Sequence, residues 1–330
     1  MRPKIALIHN QPETDKYAAA GEAKAIVGVF EAVSAVSDAL TALSYPVTLV
    51  PLLPPLDLAL DKLRDLDCKV VFNLFEGFEG RPETEAEVAR ALADLGFAFT
   101  GCPCGALSLA LHKGRSKDIL ADAAIRTPRH QVLTPETASR FRLSYPCIVK
   151  PCQEDASHGL SEESVVRDSA SLKKQVERMC TTYGGTALVE EFVGGREFNV
   201  TVMGNEELDV LPVSEIEYSL PDSMPRILTF EAKWEPDSVY FQHTRAVCPG
   251  NVSPELERNI REIACQSFKL LGCKGYARVD LRLDHESRLM VLEVNPNPDI
   301  SPGTGAARQA MASGMTYNEF VEKIVKLALE

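Results

Sequence analysis

Residues 275–303, GYARVDLRLDHESRLMVLEVNPNPDISPG, read as two strands joined by a polar turn. They carry acids and an arginine where a hairpin usually carries plain alternation of apolar and solvated side chains. Side chains of a strand alternate faces with period two, so Arg278, Asp280 and Arg282 share one face, with Val279 and Leu281 on the other. On the second strand Glu293 and Asn295 share a face, and Met290, Leu292 and Val294 take the opposite one. Antiparallel pairing superposes the two polar faces. Two carboxylates and an amide oxygen then converge beside Arg278. These are hard donors of the kind Mg²⁺ takes, with water and phosphate oxygens in its remaining positions. The alternative is a solvated face closed by an ion pair from Arg278 to Asp280 or Glu293, and spacing alone does not choose between them.

A metal-bound nucleotide also needs positive charge for its phosphates. Lys150 ends the apolar run YPCIVK and is followed by a polar loop holding Ser157 and Gly159. A lysine at a strand end can reach into a cleft as a phosphate ligand. Lys113 falls on a helix and Lys233 in FEAKWEP. Each taken singly also reads as a solvated surface lysine. No G-x-x-x-x-G-K-[ST] run occurs, and no G-x-G-x-x-G follows a strand, which removes support for P-loop and dinucleotide-binding readings.

The elements that must position these groups fall into three stretches. Residues 1–102 alternate strand and helix, as in KIALIHN, AKAIVGVFEAVSAVSDALTAL, PVTLVPL, KVVFNLF and EAEVARALADLG, which predicts a parallel α/β sheet. In the first helix Val27, Phe30, Val33 and Leu40 recur on one face. Residues 103–193 open on one helix, ALSLALHKGRSKDILADAA, and continue as an α+β unit holding the polar loop. Residues 194–330 are strand-rich, contain the hairpin and end on the helix TYNEFVEKIVKLALE, with Gly194 and Gly195 as the expected hinge.

The 330 residues carry a net charge of −12, which disfavours a nucleic-acid partner. No apolar stretch approaches membrane-spanning length and no export signal is present, so a cytoplasmic location is expected. Nine cysteines are then read as reduced thiols. Cys102 and Cys104 are the only close pair and lack a second pair for a metal.

In this order the motifs resemble the ATP-grasp superfamily, and within it the D-alanine–D-alanine ligases. VFNLFEG is similar to the strand entering that family's substrate site, and FAFTGCPCGALSLALHKGRSKDIL to its passage into the central domain. YPCIVKPCQEDASHGLS resembles its phosphate loop, ALVEEFVGGREFNV its adenine hinge, EAKW its mobile loop, and GYARVDL with LEVNPNP its metal hairpin. The resemblance implies an ATP-grasp fold behind an N-terminal parallel α/β domain. It implies an ATP-dependent carboxylate–amine ligase working through an acyl phosphate and using ATP and Mg²⁺, with Mn²⁺ as an alternative ion. Lys113 and Lys150 would hold phosphates, Ser157 would cover the terminal one, and Lys233 would reach it. Glu190, Glu191 and Val193 would hold the adenine and Glu197 the ribose. Asp280, Glu293 and Asn295 would ligate the metal, and Arg278 would face the tetrahedral oxyanion. The loops near 153–160 and 233–250 would form the lid. A homodimer through the N-terminal domain is an expectation of the same kind.

The substrate end departs from the family pattern. Glu76–Gly77 stands for His–Gly, Ala156 precedes Ser157 where two serines are usual, and Trp234 replaces a tyrosine. Glu22-Ala-Lys-Ala-Ile26 replaces Glu-x-x-Val-Ser, and Asp299 replaces a glycine. Glu22 is the expected acidic substrate residue. Glu76 and Asp299 could pair with a cationic group absent from D-alanine, or could face water while Thr304 holds a substrate carboxylate. The substrates are expected to be amino acids or small metabolites bearing a carboxylate and an amine. Two further readings stay open: a nucleotide-binding protein without turnover, and a kinase that stops at the phosphorylated carboxylate.

Overall fold

The computed structural model describes residues 2–11, 24–78, 81–152 and 159–330, with side chains in the first helix described from Phe30 onward. Three sheets fall one in each of the expected stretches. The first is parallel throughout, in the order β2-β1-β3-β4, from Ile5–Asn10 (β1), Val47–Leu52 (β2), Val70–Leu74 (β3) and Ala98–Phe99 (β4). The second is antiparallel, β5-β8-β6-β7, from His130–Leu133, Cys147–Pro151 (β6), Val165–Val166 and Ala187–Glu191 (β8). The third runs β12-β11-β9-β13-β14, with β10 also on β9. Its strands are Glu197–Gly204 (β9), Leu208–Val210 (β10), Ser214–Tyr218 (β11), Thr244–Val247 (β12), Gly275–Leu283 (β13) and Leu289–Pro296 (β14).

The cores cross the boundaries between these stretches. Phe320, Val321, Ile324 and Val325, spaced three and four apart on the last helix, Tyr317–Leu329, pack with Ile5, Leu7 and Phe72 of the first sheet. Ala106, Leu107 and Leu120 pack on Val200, Val279 and Val291 of the third. The first helix, Lys24–Ala42, buries Val33, Val36 and Leu40 as its spacing predicts. Phe30, expected on the same face, is 49% exposed.

The expected single helix of 106–124 is two, Cys104–Leu111 and Lys113–Asp122. His112 between them has ψ 70°, off the helical value, and the Ser116 hydroxyl donates to the Leu109 carbonyl at 2.7 Å across the joint. The break brings Lys113, Ser116 and Lys117 to buried positions. Gly195 is fixed by packing where a hinge is expected, since a Cβ there would stand 2.1 Å from the Leu283 carbonyl oxygen. Gly195→Ala is therefore expected to lower stability by about 1–3 kcal/mol, the usual range of forced overpacking. Chemical denaturation checks this, and an unchanged midpoint would contradict it.

Candidate active site

The hairpin β13–β14 pairs antiparallel, with Asp280 opposite Glu293 and Arg278 opposite Asn295. The register slips once, so that Leu281 faces Val291 and Leu292 is left over as a β-bulge. The slip changes which side chains reach the core. Leu289, Val291 and Val294 are buried, while Met290 and Leu292, expected on the apolar face, are only half-buried. It also turns the Leu292 carbonyl outward, where the Lys117 ammonium donates to it at 2.6 Å.

The polar face of the hairpin is a compact cluster. Arg278 binds Asp280 through two parallel bonds, Nε to Oδ1 at 2.7 Å and a terminal nitrogen to Oδ2 at 2.8 Å. The Asn295 amide donates to Asp280 Oδ2 at 3.0 Å and to Glu293 Oε1 at 3.4 Å. The acids respond differently. Burial pushes the Asp280 carboxyl up against the pull of Arg278. Burial also opposes ionisation of Glu293, but Lys113, Lys150 and Arg278 outweigh it and bring the carboxyl down to about 2. The ion pair and the convergent oxygen cluster are thus both present in one arrangement, with the pair part-buried rather than solvated. Two carboxylates and an amide are a hard donor set, short of a closed cage, and suit an ion that keeps water and phosphate oxygens.

Facing the cluster is a buried ion triad. Glu190 on β8, 1% exposed, lies 2.8 Å from the Lys150 ammonium on β6 and 2.5 Å from that of Lys117. Burial opposes Glu190 ionisation, but the two lysines hold its carboxyl down at about 2. Lys117 also donates to Thr127 Oγ1 at 3.0 Å. Sequence reasoning missed Lys117. Its place one helical turn after Lys113, on the same face, is the signal that could have found it.

The other expected residues lie as follows. Glu197 on β9 is gripped by Arg282, whose Nε donates to it at 3.0 Å, and by the Tyr218 hydroxyl at 2.5 Å. Arg282, 3% exposed, also donates to the Val193 carbonyl at 2.7 Å, so it ties the strand carrying Asp280 to the segment that follows the strand carrying Glu190. Glu191 sits at the rim, 3.3 Å from Arg129. Lys233, on the short helix Phe230–Trp234, has its ammonium pulled down by burial and by the nearby Arg278, against the opposing fields of Glu293 and Asp280. Glu76 and Asp299 do not join this cluster. They line a separate small cleft with Asn73, Glu85 and Tyr276, where the first sheet meets the exit of β14. Asp299 Oδ1 accepts from the Ser301 N–H at 2.8 Å and hydroxyl at 2.7 Å, and Thr304 Oγ1 donates to the Ser301 carbonyl at 2.7 Å. Glu22 and Ser157 lie outside the described residues.

The family model described as D-ala D-ala ligase C-terminus matches residues 122–326. An uncharacterised protein of Sinorhizobium fredii is 34% identical over 259 residues, covering 78% of this chain and 74% of that protein. D-alanine–D-alanine ligase of Nitrosospira multiformis is 33% identical over 252 residues, 76% of this chain and 77% of the relative. The crystal structure of D-alanine–D-alanine ligase from Bacillus anthracis complexed with ATP superposes with a TM-score of 0.73 at 18% identity, over 99% of this chain and 97% of that one.

Proposed function

Because the chain belongs to the D-alanine–D-alanine ligase family and has its ATP-grasp fold, we propose that it is an ATP-dependent ligase joining the carboxylate of one amino acid to the amine of another. The observation that carries this reading is the meeting of two charge clusters across the β6–β8 and β13–β14 strands: Asp280, Glu293 and Asn295 on one side, Lys117, Glu190 and Lys150 on the other. The acids and the amide suit Mg²⁺ by their donor chemistry, and the lysines suit phosphate. When bound together, ATP and Mg²⁺ supply the phosphoryl group that turns the first carboxylate into an acyl phosphate, with ADP as the other product.

The residues of the chain supply the surroundings. Lys150, Lys117 and Lys113 neutralise phosphate charge, and Glu190 keeps two of those ammonium groups in place. Asp280, Glu293 and Asn295 hold the ion. Glu197, already oriented by Arg282 and Tyr218, accepts from a ribose hydroxyl, and the strand end Glu190–Val193 borders the adenine. Arg278 presents fixed positive charge where the oxyanion grows as the second amine attacks. Lys233 and the segment carrying it close over the acyl phosphate and keep water from it. For Ser157 and Glu22 the family resemblance implies contacts to the terminal phosphate and to the substrate.

The cleft of Glu76 and Asp299 is the amino-acid end. Asn73 lines it, is 2% exposed and has Nδ2 buried without a hydrogen-bond partner among the described residues, a donor awaiting an acceptor. Asp299 shapes the turn into Thr304, and Glu76 lines the same cleft beside Glu85, a carboxylate lining suited to a substrate ammonium. No described helix is long and apolar enough to cross a membrane. A cytoplasmic location and a homodimer through the N-terminal domain fit this reading.

The test is phosphate release from ATP and Mg²⁺ against a panel of D- and L-amino acids, with product analysis for a dipeptide. Turnover with D-alanine alone is the expected result and would remove an altered-substrate role for Glu76. Phosphate release only with a basic or larger amino acid would support that role instead. A phosphorylated carboxylate that persists in the presence of an amine would make the protein a kinase.

A further inference from the structure

A gap in the central strand of the largest sheet is filled by a side chain. On one side β9 pairs with β13 along its whole length. On the other, β11 covers Glu197–Asn199 and β10 covers Val202–Gly204. Between β10 and β11 the chain passes through Leu211, Pro212 and Val213. The Leu211 N–H still donates to the Thr201 carbonyl at 2.9 Å, but Pro212 has no N–H, and the Val213 carbonyl accepts from Gly250 at 2.8 Å instead. The Thr201 N–H and the Asn199 carbonyl therefore face a break in the ladder.

Gln309, fully buried on the helix Gly305–Ala312, occupies that break. Its Oε1 accepts from the Thr201 N–H at 2.8 Å. Its Nε2 donates to the Asn199 carbonyl at 3.0 Å and to Asn199 Oδ1 at 2.8 Å, and lies 3.1 Å from Ser214 Oγ. The amide thus does what a strand residue would do, accepting one backbone donor and serving one backbone acceptor. Its position matters because of what lies on the far side of β9. In the β9–β13 register Thr201 stands opposite Arg278, and Asn199 opposite Asp280. The first residue of the helix lies against the same arginine: a Cβ on Gly305 would be 3.7 Å from Arg278 Cδ.

We propose that Gln309 is a positioning residue for the ligase reaction. Its amide sets the turn Asp299–Thr304 and the start of its helix at a fixed distance from the Arg278 guanidinium, and so sets where the amino-acid substrates lie relative to the group that meets the oxyanion. The role rests on the ligase reading above. Its hydrogen bonds go to neither the metal donors nor the phosphate lysines, so its main effect falls on the amino-acid end.

Gln309→Met keeps the volume and removes both polar atoms. It is expected to lower kcat/KM for the amino acid by about 100-fold, the scale of a misplacement near 1 Å. The Kd for ATP, read by calorimetry, should stay within about twofold. Gln309→Glu keeps the acceptor for the Thr201 N–H and loses the donor, and should fall between wild type and the methionine variant. A purely structural residue would lower Tm and weaken both constants together, and that result would overturn the role, as would unchanged kinetics in either variant. Should neither variant fold, amide hydrogen exchange on the wild-type protein decides: Thr201 should exchange slowly, and exchange at the rate of an exposed amide would refute the bond. No turnover by wild type with any amino acid would remove the ligase reading and this role with it, whereas wild-type turnover with unaltered variants removes this role only.

Discussion

Arg278→Ala is expected to lower kcat by about 10²–10³-fold, the cost of removing one fixed group aimed at a developing oxyanion. The Kd for ATP should stay nearly unchanged. The reason lies in the geometry. Both carboxylate oxygens of Asp280 are bonded to Arg278, and one of them also to Asn295. Losing the guanidinium leaves Asp280 beside Glu293 with less positive charge near it, which favours a divalent ion rather than opposing it. Binding of the nucleotide with its metal is therefore preserved while the later, oxyanion-forming step suffers. Arg278→Lys keeps the charge but not the two parallel bonds and should recover only part of the rate. Steady-state kinetics with calorimetric ATP binding separates the two effects. A variant that turns over normally would refute the assignment, and one that loses ATP affinity in proportion to rate would move Arg278 to nucleotide binding.

The second large effect is on stability. Glu190→Gln leaves the ammonium groups of Lys117 and Lys150 buried without their shared carboxylate, and breaking such a pair costs about 3–5 kcal/mol. The pH dependence follows from the sign of the shift. The Glu190 carboxyl is lowered from 4.5 to about 2 in the folded protein. Its stabilisation is thus fully present above its unfolded value and is lost as pH falls through the folded one. The stability difference between wild type and Glu190→Gln should be constant above about pH 5 and should shrink steadily below about 4.5. Denaturation at a series of pH values measures it. A difference that stays flat down to pH 3, or that grows on acidification, would mean that folding does not hold the Glu190 carboxyl below its ordinary value.

Both residues show how far the amino-acid order could be read. Arg278, Asp280, Glu293 and Asn295 were legible because a hairpin imposes period two and antiparallel pairing. Those local rules hold wherever the strands pair regularly. The same rules fail at Leu292, where one extra residue shifts the phase and moves Val291 into the core. Nothing in the side-chain pattern marks that bulge, which is a property of the pairing of two strands rather than of either one. The break at His112 escaped notice for a similar reason. His112 is neither proline nor glycine, Gly114 two residues on lies inside the second helix, and the apolar pattern runs on through the break.

The amino-acid order by itself determined most of the elements, the parallel first sheet and the shared polar face of the hairpin, since these rest on spacing within short segments. Tertiary structure alone decided which charges meet. Lys117, Lys150 and Glu190 come from three separate elements, and only their packing takes them out of water, where an unpaired charge is costly and a partner becomes essential. Gln309 is the same case in neutral form: an ordinary helical glutamine in sequence, and the filler of a broken ladder in the fold, because a buried backbone N–H must find an acceptor wherever one can be brought to it.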